Sequence, residues 1–103
     1  MDESTRDILK VMRKRLEAPE RWAKGSFSLN AVGELVSPRS KDAICWCLLG
    51  AVYRDVPHAA WEPCVQALTD ALPPEGRNLT WFNDEPGTTH ADIMALFDRA
   101  LAS

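Results

Sequence analysis

A chain of 103 residues with 46% hydrophobic and 26% charged residues has the make-up of one ordinary globular domain. It is long enough to bury roughly two-thirds of its unfolded surface, and a net charge of −3 lacks the basic excess of a nucleic-acid binder. The charge is uneven, with nine Lys and Arg against seven acids in residues 1–50 and three against eight in residues 51–103, a polarity that can orient a partner. The acidic start Met1-Asp2-Glu3-Ser4-Thr5 has no apolar stretch behind it, so no secretory signal is expected. Three cysteines, two of them within one apolar run, do not make a disulfide framework. Reduced thiols in a cytoplasmic protein are the expectation.

Ser4 to Glu17 predicts a first helix, with Ile8, Val11, Met12 and Leu16 as its apolar stripe and Leu9 on the flank. Ser4 with Asp7 reads as a capping box, and Pro19 as a stop. Arg6, Lys10 and Arg13 lie on the opposite face with Glu17. They could serve as a basic strip for phosphates or an acidic partner; the simpler reading is a solvated face with an Arg13–Glu17 pair. In the irregular stretch from Pro19 to Ser37, Trp22 is expected on the core beneath a turn at Lys24-Gly25. Phe27 and Leu29, followed by Leu35-Val36, allow a short hairpin.

The organising stretch is Asp42 to Tyr53, DAICWCLLGAVY. Read as a helix capped at Ser37-Pro38 or Ser40 and running to about Arg54, it is apolar all round and must be covered on every side. Ala43, Cys47, Gly50 and Ala51 then form a small-residue side where another helix can approach. Trp61, Cys64, Val65, Leu68, Ala71 and Leu72 predict a third helix starting near Ala60, since Pro63 fits only a first turn, and ending at Pro73-Pro74. Glu75 to Thr88 reads as a loop. A last helix follows a Thr89–Asp92 capping box, with Ile93, Leu96, Phe97, Ala100 and Leu101 turned inward. The expected fold is all-α: a compact four-helix single domain over residues 1–103 with a buried central helix and a short hairpin between helices one and two.

Candidates for chemistry are few. Cys45, with His90 and Asn83 or Asp84 downstream, has the order of a papain-like peptidase, but the run around it is wholly apolar. Cys45 and Cys47 on one helix would stand about 200° apart and cannot share a zinc ion readily. Asp84, Glu85, His90 and Asp92 could approach a divalent cation, yet turn and cap roles explain them as well. A helix-turn-helix reader would present Glu62 and Asp70 to phosphate, which repels it. No catalytic residue, metal or cofactor is assigned.

Two patches together carry a resemblance. Ala43-x-x-Trp46-Cys47-x-x-Gly50-Ala51, followed by Phe82-Asn83-Asp84-x-Pro86-Gly87-x-Thr89, resembles a family of small uncharacterised bacterial and phage proteins that pair such a helix with an aromatic-Asn-Asp loop. The resemblance implies no activity. It implies a packing unit in which Trp46, Cys47, Gly50, Ala51, Phe82, Asn83 and Thr89 are structural and the Asn-Asp loop docks beside the small-faced helix. It also assigns Phe82 to the packed position, which in an extended loop turns Trp81 outward beside Asp84 and Glu85 as a partner anchor. Asn83 and Asp84 would then hold the loop by bonding amides across the turn before Pro86-Gly87.

The functional expectation is a non-enzymatic cytoplasmic binding protein of phage or mobile-element origin. It would engage, and in one form inhibit, a host or defence protein through Trp81, Asp84, Glu85, Arg6, Lys10 and Arg13. The alternatives are a small cysteine- or metal-dependent hydrolase and a protein that sequesters a small ligand.

Overall fold

Four of the five α-helices begin where a side chain takes up an amide that the helix cannot satisfy itself. A computed structural model describes residues 1–103. Asp2 caps α1 (Glu3–Arg15), Cys47 caps α2 (Leu48–Asp55), Asn78 caps α4 (Leu79–Asp84) and Thr89 caps α5 (His90–Ala102). The remaining helix, α3 (Trp61–Asp70), follows a 3-10 turn at His58–Ala60 instead. Between α1 and α2 lie a 3-10 turn at Pro19–Arg21 and two short antiparallel strands, β1 (Ser28–Leu29) and β2 (Cys45–Trp46).

The protein is therefore mostly helical rather than all-α, and its central helix is shorter than the sequence implied. Residues 38–47 do not continue α2. Ser37 and Ser40 bond the Arg39 and Asp42 amides to make successive turns, and Cys45-Trp46 then pairs with Ser28–Leu29. A short apolar run rich in Ile, Cys and Trp serves a buried strand as well as a buried helix, and periodicity cannot separate the two. The hairpin expected from Leu29 and Leu35 exists as one bridge between those residues, but the main partner of β1 is β2.

Three further corrections concern helix ends and faces. Asp2, not Ser4, caps α1, its carboxylate accepting from the Thr5 amide at 2.7 Å and held by that bond below the usual carboxylate range. The buried stripe of α1 centres on Leu9, Met12 and Leu16, while Val11 is 52% exposed. The expected loop 75–88 contains α4, because Asn78 accepts from the Trp81 amide at 2.8 Å and starts a helix there. The last helix and its Thr89–Asp92 capping box stand as the sequence indicates, and α3 begins beside Ala60 as Pro63 requires.

The core gathers Leu9, Met12 and Leu16 of α1 with Leu48, Ala51 and Val52 of α2 and with Ile93, Leu96 and Phe97 of α5. Cys64 and Leu68 of α3 and Leu79 and Phe82 of α4 close it. Helices α1 and α5 run antiparallel, since Arg6 donates to the Leu101 carbonyl, Arg13 to Asp98 at 2.9 Å, and His90 meets the Leu16 carbonyl at 2.7 Å. No helix is long and apolar enough to cross a membrane.

Gly50 is buried, but its close neighbour is a strand segment and not another helix. A Cβ at Gly50 would stand 1.9 Å from the Phe27 carbonyl oxygen. That carbonyl already accepts from the Cys47 amide, which ties the segment ahead of β1 to the start of α2. Gly50→Ala should therefore lose about 1–3 kcal/mol or more through overpacking, although alanine gains about 1 kcal/mol in helix propensity. Urea denaturation of the two proteins checks this; equal midpoints would mean that the Phe27 segment yields freely.

Candidate functional site

The strongest nucleophiles in the chain are its three free thiols. Cys47, rather than Cys45, sits at a helix N-terminus, with its sulfur 3.3 Å from the Gly50 amide. Burial pushes the Cys47 thiol up, against the pull of the Gly50 and Leu49 amides, and the Asp84 carboxylate adds to the rise. Burial likewise pushes up Cys64, with the charge of Asp2 adding to it. A thiol kept protonated in this way is a packing group and a cap. His90 is half-buried and its Nε2 is engaged by the Leu16 carbonyl, while its ring lies beside Trp22 at 6.3 Å, so it serves the α1–α5 contact. The remaining carboxylates diverge too. Asp92 closes the Thr89 cap and Asp84 turns to Gly25, and no three His, Cys, Asp or Glu side chains converge on one point.

Asn83 is the residue on which the most polar contacts converge. It is 1% exposed. Its Oδ1 accepts from the Leu48 amide at 3.0 Å and from the Trp22 indole at 2.8 Å. Its Nδ2 donates to the Ala23 carbonyl at 3.0 Å and to Asp84 at 2.8 Å. Asp84 in turn accepts from the Gly25 amide at 2.8 Å, where Gly25 turns with φ +76°. The Asn-Asp pair thus does not staple its own loop; it reaches across the fold to the Trp22–Gly25 segment and to the first turn of α2. This brings the Trp46–Ala51 patch and the Phe82–Asp84 patch into one unit.

On the far side of α4, Trp81 and Phe82 separate as neighbours on a helix do, by about 100°. Phe82 is buried at 7% exposure, and Trp81 is half-buried with the Arg77 guanidinium 5.2 Å from its ring centre. Trp81 lines a cleft of about 430 Å³ with Glu75, Glu85, Asp92 and Arg99. Asp84 is exposed but points away from it, so the expected Trp81–Asp84–Glu85 grouping is divided between two faces. The expected basic strip divides as well. Arg6 donates to the Leu101 and Ser103 carbonyls, closing the end of α5. Arg13 bonds Asp98 at 2.9 Å and stands 3.5 Å from Glu17. Lys10 alone of the three faces open solvent, lining a groove with Lys14, Arg15 and Arg21.

The surface that sequence reading missed is the outer face of the small sheet. Ser28 and Trp46 face each other across the strands and point inward, at 0% and 4% exposure. Alternation therefore turns Leu29 and Cys45, the next facing pair, outward. Leu35 bridges to Leu29 on the same face and is 74% exposed, and Val32 in the adjoining turn is 76% exposed. Phe27, two residues before Leu29, is 50% exposed and meets Tyr53 edge-on at 5.3 Å; Tyr53 in turn lies 4.7 Å from Trp61. The result is a continuous apolar strip across the strands and onto α2 and α3. Its signal in the sequence was the Phe27/Leu29 alternation, which becomes an outer face only once β2 supplies the buried partner.

Three measurements test these assignments. Asn83→Ala should cost about 3–5 kcal/mol, because it leaves the Leu48 amide and the Ala23 carbonyl buried without partners. Asn83→Asp should not rescue it, since a second carboxylate beside Asp84 repels and cannot donate to Ala23. Retention of wild-type stability by either would remove Asn83 from its central place. For the thiols, Ellman's reagent on native protein should label Cys45 first, and Cys47 and Cys64 only on unfolding. An unfolded thiol ionises near ~8.5, below the native Cys47 and Cys64, so the native state holds more protons above that pH. Stability is then complete below this range and falls as pH rises through it. Cys47→Ala should flatten that alkaline decline, and an unchanged slope would refute the assignment.

No curated protein and no solved structure matches this chain. A family model described as a family of unknown function, DUF6197, matches residues 1–103. Since that match spans every residue whose packing is described above, the protein belongs to DUF6197.

Proposed function

We propose that this protein is a non-enzymatic binding module that docks another protein on the outer face of its small sheet. The observation that carries this reading is the uncovered apolar strip of Leu35, Leu29, Phe27 and Tyr53. A domain of this size with a well-filled core does not need Leu35 and Phe27 half or more exposed on adjoining segments, with Val32 76% exposed in the turn beside them, and such patches mark interaction sites. Aromatic anchors of this kind dominate interface energies. The resemblance to bacterial and phage proteins makes a cytoplasmic host or defence component the proposed class of partner, with inhibition as the proposed outcome. The hydrolase alternative has little support, because the helix-terminal thiol is Cys47 and its neighbours include no free histidine.

A second reading has one observation behind it. The cleft beside Trp81 is of ligand size, about 430 Å³, and offers an aromatic wall with carboxylates at Glu75 and Glu85. It suits a cationic small ligand or a basic side chain.

Affinity purification from the native host, compared among variants, separates the readings. One stoichiometric partner should co-purify with the parent and be lost with Leu35→Glu and with Phe27→Ser, both of which should stay within about 0.5 kcal/mol of parental stability as surface changes. Trp81→Ala should retain it. A partner kept by both sheet-face variants and lost with Trp81→Ala would move the site to the cleft.

A further inference from the structure

We infer that the partner's docking segment is acidic: apolar side chains flanked by Asp or Glu, seated on the sheet face with its carboxylates along an adjoining basic strip. This rests on the protein-binding reading above and specifies the partner's chemistry. The aromatic row does not end on neutral surface. Trp61 lies beside His58, their rings tilted by 36° with centres 6.1 Å apart, and His58 forms one side of an open groove of about 650 Å³ that Arg39 and Arg54 also line. Arg39 donates to the Tyr53 carbonyl at 2.9 Å, and Arg54 donates to the Pro38 and Ser40 carbonyls. Both guanidiniums are therefore held in place by neutral acceptors and keep their full charge for a partner. The one acid of that groove, Asp55, is occupied by Arg15 at 2.7 Å, and its side chain is 6% exposed.

Beyond the Asp55–Arg15 pair the basic strip continues. Arg15 lines a second groove with Lys10, Lys14 and Arg21, and no carboxylate lines it. Lys14 stands 4.0 Å from Glu17, whereas neither Lys10 nor Arg21 bonds any acid. Val11, 52% exposed, lies among these cations. In a chain of net charge −3, cations thus line two grooves that run on from the end of the aromatic row, and the complement of that pattern is an acidic, apolar segment.

The same combination of cations and rings could suggest single-stranded nucleic acid, but the rings are not free platforms. Phe27 meets Tyr53 edge-on and Tyr53 is tilted 55° to Trp61, so the three rings stand at steep angles and offer no run of parallel faces for successive bases. Leu29 and Leu35 of the strip, and Val11 among the cations, are aliphatic and offer no stacking surface. An acidic protein segment satisfies both halves of the surface.

Selection from a random dodecapeptide display library against the whole protein tests this. Enriched peptides should combine aromatic or leucine residues with a net negative charge. A synthetic copy should lose about tenfold or more in affinity with Tyr53→Ala and with Arg39→Glu, and bind more weakly as salt rises. Peptides lost with Tyr53→Ala but neutral or basic, and indifferent to Arg39→Glu, would leave the docking face standing and overturn its acidic partner. Peptides indifferent to Tyr53→Ala, or no enrichment at all, would overturn the docking face itself. Displacement of the peptide by oligo-dT at equal charge concentration would overturn a protein partner in favour of nucleic acid.

Discussion

One buried amide side chain holds the parts of this fold in register. Asn83 makes four hydrogen bonds, to Leu48, Trp22, Ala23 and Asp84, and so uses both lone pairs of its oxygen and both hydrogens of its nitrogen. Only glutamine, one methylene longer, offers the same two acceptors and two donors from one planar group. Its position matters as much as its valence. The Leu48 amide is among the first free amides of α2, so the first turn of the central helix is held from α4 as well as by its own cap, Cys47. Because α2 has eight residues and α4 six, neither has the length to be stable alone. Each is helical because the other, the Trp22 segment and the core fix it there.

That dependence explains what could be read in the sequence and what could not. Helix α5 was legible because its signals are local: a Thr89–Asp92 box, then Ile93, Leu96, Phe97 and Ala100 at helical spacing. Helix α3 was legible for the same reason, with Pro63 marking its first turn. The 38–47 stretch was not, because the choice between strand and helix was made by Ser28–Leu29, distant in sequence, and by a start signal supplied by Asn83. In α4 the cap, Asn78, sits in a run of turn residues that reads as loop. The resemblance located the Asn-Asp pair correctly in space beside α2, whereas the partners of its bonds lie about 60 residues upstream as well as in α2, and nothing in local pattern points to them.

The site residues divide along the same line. Roles that depend on helix periodicity, such as Ile93 and Leu96 inward, were accessible, and the resemblance placed Phe82; roles that depend on which element lies opposite were not. Arg6 and Arg13 look like free cations on a helix wheel, but α5 lies against them and supplies the Leu101 carbonyl and Asp98. Arg39 and Arg54 drew no notice from spacing, yet the turns at residues 37–43 place both beside His58 at the edge of the aromatic row.

The Asn83 junction also sets the order in which the chain can fold. Its bonds close separations of 35, 60 and 61 residues, and the α1–α5 contacts close separations of 74 to 95. Until residue 83 is present, the Trp22 indole, the Ala23 carbonyl and the first amide of α2 have no internal partner, and until α5 is present the apolar face of α1 lacks one of the three helices that cover it. During synthesis the first three-quarters of the chain must therefore wait, hydrated and loosely collapsed, for the last quarter to leave the ribosome. Folding should be late, concerted and slower than that of a helical bundle of equal length built from neighbouring hairpins, because so many of its contacts are distant in sequence.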